Sequence, residues 1–131
     1  MWETRRKREL AQETARSKRL AAHKAHVLLL NLLNSEQRRE FQAHGYFHVT
    51  GGSSGDHYRI RMGSVANIDV LHNDGTVKRC LCAYPTGEIP VYDVMAGQLL
   101  YLQDPHAEKH FLAQAIVNPY LLNFARFHRI S

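Results

Sequence analysis

Cys80 and Cys82 stand one residue apart, too close for an ordinary disulfide between them, so they are free thiols or metal ligands. His106 and His110 stand four apart, a spacing that puts two imidazoles on one helical face and can chelate zinc. A zinc-protease helix needs a glutamate directly after the first histidine. Glu108 sits two positions on and turns away, so the pair reads as two surface histidines. Gly51-Gly52-Ser53-Ser54-Gly55 invites comparison with a phosphate cradle. It lacks a Gly-Lys-Ser/Thr ending and joins two strands instead of opening a helix, so a flexible hairpin loop is expected. There is no Gly-x-Ser-x-Gly elbow, and Asp69, Asp74 and Glu88 show no spacing that argues for paired carboxylates. The sequence therefore reads as that of a non-enzyme.

The charge is more informative. The net charge is +5 over 131 residues. Residues 1–26 hold eight Lys or Arg against three Glu, a surplus of five, and the remainder is neutral. From Glu3 to about Asn34 there is no Gly or Pro, and Ala, Leu, Arg, Lys, Glu and Gln dominate, which predicts one long helix. At about 100° per residue, Arg5, Arg8, Gln12, Arg16, Arg19, His23 and His26 fall within about 80° of one another. Leu10, Thr14, Ser17, Ala21 and Leu28 on the opposite side make too weak an apolar stripe to bury before Val27 to Leu33. The first six turns are expected to project into solvent or to lie on a partner.

Arginines on one helical face neutralise phosphates and release counterions, without reading sequence. The alternatives are a solvated helix with i,i+4 pairs through Glu9 and Glu13, and a helix docked on an acidic protein surface through bidentate carboxylate pairs.

The rest of the chain must fold around these groups. Asn34 with Gln37 predicts a capped helix from Ser35 to His44, stopped by Gly45. Four strands follow, Tyr46 to Thr50, His57 to Met62, Ala66 to Leu71 and Thr76 to Ala83, separated by Gly-, Ser-, Asn- and Asp-rich turns. Alternation turns Tyr58, Ile60 and Met62 to the core, and places Arg59 and Arg61 on an exposed sheet face that extends the phosphate-binding surface. The same alternation puts Cys80 and Cys82 on one face, opposite Val77 and Leu81. Beyond the Pro/Gly loop 84–90, Val91, Val94, Met95, Leu99 and Leu102 return to helical spacing. Asp104-Pro105 opens a helix reaching about Val117, Asn118-Pro119 interrupts it, and a terminal helix from Tyr120 to Phe127 completes the core. The fold class is α+β, a basic N-terminal helix (1–33) followed by a compact unit (34–131) in which helices cover one face of a four-stranded antiparallel meander.

Strand, Cys80-Leu81-Cys82, loop and then a helix opening after Pro90 resembles the SWIM zinc-finger layout over about residues 58–100. In that family a Cys-x-His pair starts the helix, and here those positions are Val91 and Asp93. The resemblance implies a nucleic-acid or protein binding module and names Cys80, Cys82 and Asp93 as the residues zinc would use. Three ligands are one short of a closed structural site, so no bound cofactor is expected. Tyr58-Arg59-Ile60, Gly63, Asn67-Ile68, the cysteine strand and Asp93-x-Met95 with Gln98 are also similar to small bacterial and phage proteins, over about residues 35–117. That similarity implies no activity.

Hydrophobic residues make up 44% of the chain, enough for one compact domain. No apolar run approaches the roughly 18–20 residues that cross a bilayer, and the N-terminus carries no secretory signal pattern. A cytoplasmic location is expected, with a virion as the alternative. The expected partner is DNA or RNA, held by Arg5, Arg8, Arg16 and Arg19 with help from Lys18, Lys24, Arg59 and Arg61. The rival expectation is an acidic protein surface within a larger assembly.

Overall fold

The computed structural model describes residues 2–82 and 89–117. The expected terminal helix, the 84–88 part of the Pro/Gly loop and Ala83 at the end of the fourth strand lie outside the described residues. Helix α1 spans Trp2–Leu32. Residues 2–21 are exposed throughout, a free length of about 30 Å. Further on, Ala25, Leu29 and Leu33, four residues apart, turn one stripe into the core. Arg38 reaches back to end the helix, its Nε donating to the Leu30 carbonyl (2.9 Å) and its Nη2 to that of Leu33 (3.3 Å).

Helix α2 (Ser35–His44) starts with a complete capping box, Gln37 N–H to Asn34 Oδ1 at 2.8 Å and Asn34 N–H to Gln37 Oε1 at 3.0 Å. It stops at Gly45, whose φ of 76° is left-handed and suits glycine. Strands β1 (Tyr46–Thr50), β2 (His57–Arg61), β3 (Ile68–Leu71) and β4 (Val77–Cys82) form the antiparallel meander in sequence order. Helix α3 (Val91–Gln103) lies over one face. There Met95, Leu99 and Leu102 meet Phe47, Val49, Tyr58, Ile60, Ile68, Val70 and Leu81, with Leu29 and Leu33 closing the cluster. Each such fully buried side chain contributes about 1.5–3 kcal/mol. The fold is α+β. Met62 falls just past β2 and is exposed, so the expected inward triplet is cut to Tyr58 and Ile60.

A buried polar contact fixes α3 to the sheet. Asn67 Nδ2 donates to Gln98 Oε1 (2.8 Å), and Gln98 Nε2 donates back to Asn67 Oδ1 (3.0 Å). Two amides that satisfy each other remove the desolvation cost either would carry alone.

The last described stretch departs from expectation. Asp104 caps a turn, its Oδ1 accepting from the His106 N–H at 2.7 Å, and α4 then runs only over Glu108–Gln114. Ile116–Val117 instead forms β5, which pairs with β4. Two β-branched residues followed closely by Asn118-Pro119 favour extended backbone, and the open edge of β4 supplies the partner. No described helix is long and apolar enough to cross a membrane.

Candidate nucleic-acid interface

Two sets of basic residues were expected to bind together, and the fold separates them. Arg5, Arg8, Arg16, Lys18, Arg19 and Lys24 all lie on α1 and are exposed. Arg5 pairs with Glu9 one turn on (3.4 Å), and Arg6 sits over the Trp2 ring at 5.5 Å. Both contacts are solvent-exposed, and the ion pair is screened and worth about a few tenths of a kcal/mol. Among the described residues Arg8, Arg16 and Arg19 enter no ion pair, leaving their guanidiniums available for anions.

Arg59 and Arg61 lie on the sheet face turned away from α3, and they are only partly open. Both converge on Asp69, a carboxylate with 2% of its side chain exposed. Arg59 Nε and Nη2 approach Asp69 Oδ2 at 3.0 and 2.9 Å. Arg61 Nε donates to the same oxygen at 2.9 Å, and its Nη2 to Oδ1 at 3.1 Å and to the Ala66 carbonyl at 2.6 Å. Burial works against the charge on Arg61, but the bonds and charge of Asp69 outweigh it and its pKa is raised. Three charges thus make a cluster of net +1, held rigid by a buried anion. From the sequence Asp69 counted only as one of three scattered carboxylates, although an acid between Ile68 and Val70 in a strand signals a charge that must find partners.

Aromatic rings border this cluster. The Arg59 guanidinium lies over Tyr46, 5.4 Å from the ring centroid, and His44 stacks on Tyr46 at 5.3 Å with planes 15° apart. Tyr46 was placed in β1 from the sequence but assigned no role. Its parity with Arg59 and Arg61 across the hairpin was the available signal, since Tyr46 pairs with Arg61 and His48 with Arg59. Next to the cluster, towards the hairpin loop, a groove of about 560 Å³ is lined by Glu36, Glu40, His48 and His57 among others, and the His48 ring meets Tyr46 edge-on at 5.7 Å. Glu40 holds His48 there through both its backbone N–H and its Nδ1, each at 2.7 Å.

Cys80 and Cys82 share the face of Arg59 and Arg61. The Cys80 thiol donates to Asp69 Oδ1 at 3.1 Å, and Cys82 is buried. Burial, with the Asp69 bond and charge, pushes the Cys80 thiol up to about 11. Asp93 opens α3 two residues after Val91. Among the described residues no group of three His, Cys, Asp or Glu is placed to hold a metal ion. His106 precedes α4 instead of lying on it, so the two imidazoles do not share a helix.

The glycine-serine loop is not a slack connection. It surrounds the carboxylate of Glu108, which accepts from Ser53 N–H (3.0 Å) and Oγ (3.1 Å), Ser54 N–H (2.9 Å) and Oγ (2.6 Å), and Tyr58 Oη (2.6 Å). The loop is an anion cradle, and the chain's own glutamate fills it. Burial alone would raise the Glu108 pKa, but the donors from Ser54, Tyr58 and Ser53 overcome it and hold it at about 2. Tyr58, buried against that anion, is raised in turn.

The chain matches no family model, no curated protein and no solved structure.

Proposed function

We propose that this is a small, non-catalytic accessory protein that binds nucleic acid through α1, by phosphate contacts that do not read sequence. The observation that carries the reading is the run of twenty exposed helical residues, 2–21, with Arg8, Arg16 and Arg19 unpaired among the described residues on one face. A helix with that exposure gains nothing from the core, and its surplus positive charge favours a polyanion. Lys18 and Lys24 add charge on neighbouring faces.

The test is a salt titration of binding to random-sequence duplex and single strands, comparing the full chain with an Arg8→Gln, Arg16→Gln, Arg19→Gln variant. Steep salt dependence is expected in the full chain, with the log–log slope reduced by about 2–3 in the variant. Equal affinities and slopes for the two proteins would sink the proposal.

A second reading has its own support. Trp2, Leu10, Leu20, Val27 and Leu28 are large apolar residues left exposed on α1, which suits a helix docked on a protein neighbour within an assembly. That reading expects a defined complex or oligomer that survives moderate salt, where phosphate binding would have weakened.

A further inference from the structure

We infer that the open face of the β1–β2 hairpin is a second nucleic-acid contact, a stacking platform for unpaired bases of a single strand centred on His44, Tyr46, Arg59 and Arg61. The inference takes its ligand class from the proposed function and narrows it to single strands. It does not use α1, whose buried turns pack with α3 on the other face of the sheet.

The argument begins with the planar groups. His44 stacks on Tyr46 with ring centroids 5.3 Å apart, the Arg59 guanidinium lies over the same Tyr46 ring at 5.4 Å, and His44 is exposed. A further flat ring can therefore join the stack from solvent. In a duplex the faces of the bases are already covered by their neighbours and only their edges are offered, so an open stacking surface selects unpaired bases.

The charge beside the stack matches the strand's backbone. Asp69 engages Arg59 and Arg61 through their Nε and Nη2 atoms, and the three charges leave a net +1 on this face. Each guanidinium is fixed in one geometry by the buried carboxylate, which lowers the ordering cost of gripping a phosphate. The Arg61 side chain is 39% exposed and that of Arg59 26%, enough for contact at the rim. Beyond His48, which pairs with Arg59 and meets Tyr46 edge-on at 5.7 Å, Glu36 and Glu40 repel phosphates. That repulsion steers a strand towards the side carrying Tyr46 and Arg61 and away from the hairpin loop.

The experiment compares a short oligothymidylate, an abasic phosphodiester of equal length and a duplex, each titrated with the full chain. Wild type should prefer the base-bearing single strand over the abasic strand by about tenfold. Tyr46→Leu and His44→Ala should each bring that ratio towards one while leaving abasic affinity and salt slope unchanged. Ultraviolet cross-linking of the oligothymidylate should label the peptide carrying His44 and Tyr46. His44 is exposed, so His44→Ala carries the test where Tyr46→Leu disturbs packing. The triple arginine variant of α1 should do the converse, weakening both strands and keeping the ratio. A wild-type ratio near one, or a ratio that survives both platform substitutions, would overturn the inference. A salt slope unmoved by the α1 variant, with the base preference intact, would overturn the reading of α1 alone.

Discussion

The Tyr58 hydroxyl donates to Glu108 Oε2 over 2.6 Å, joining β2 to the first turn of α4 across 50 residues of chain. Both residues are 1% exposed. A lone carboxylate at that depth would be costly, and five donors are what make it tolerable. The glycine-serine loop is held to the body of the fold through this anion, and α4 through it together with Phe111 and Leu112, which pack against the core.

The consequence for acid stability has a definite sign. The Glu108 pKa falls from an ordinary 4.5 to about 2 on folding. The stability it contributes is therefore complete above about pH 4.5 and lost as pH falls towards 2, amounting to about 3 kcal/mol. Urea denaturation of wild type and Glu108→Gln at several pH values checks this. The variant should be less stable by roughly 2–4 kcal/mol at neutral pH, and the gap should close in acid. A gap independent of pH would show that the carboxylate charge is not what the loop holds.

Helix α1 should be two things in one. Its first twenty residues have no tertiary burial, and a solvent-exposed helix of that length is marginal in water. From Ala25 onward it shares the stability of the core. Amide exchange should be fast over residues 2–20 and slow over 25–33, and brief trypsin treatment should remove the arginine-rich turns while leaving a folded remainder. Addition of a polyanion should slow exchange in the first segment.

The elements were legible because local chemistry and tertiary packing agree in them. The Asn34–Gln37 capping box, the Gly45 stop and the four-strand meander are each specified within a few residues. Fold class followed from their order. What escaped the sequence was long-range. Nothing near Gly51 to Gly55 tells that Glu108 will fill the loop, and nothing near Arg59 and Arg61 tells that both will spend donors on Asp69. Ile116 and Val117 were likewise read from the helix before them, whereas the unpaired edge of β4 decided their conformation.

The thiols should be slow to react. Only the thiolate is a nucleophile, and with a pKa of about 11 Cys80 is ionised to roughly one part in a thousand at pH 8. Cys82 is buried. Ellman's reagent should therefore titrate far less than two thiols in the native protein, and both once urea is added. In Asp69→Asn, which removes the anion that Cys80 faces, native Cys80 should react faster. Equal rates in the two proteins would show that burial alone governs the thiol.

Two glycines predict opposite responses to the same change. A Cβ on Gly52 would run into the backbone of Gln103 and of the Asp104–Pro105 junction, at a point where the Gly52 N–H also donates to the Leu102 carbonyl over 2.9 Å. Backbone on both sides has no rotamer to escape into, so Gly52→Ala should cost about 1–3 kcal/mol and loosen the cradle of Glu108. A Cβ on Gly97, inside α3, would meet nothing within 4 Å. Glycine in a helix interior carries an entropic penalty, so Gly97→Ala should stabilise the protein by about 0.5–1 kcal/mol. Thermal melts of the two variants against wild type test both signs together. If Gly52→Ala is neutral, the close approach of the loop to the end of α3 is not the contact that orders it.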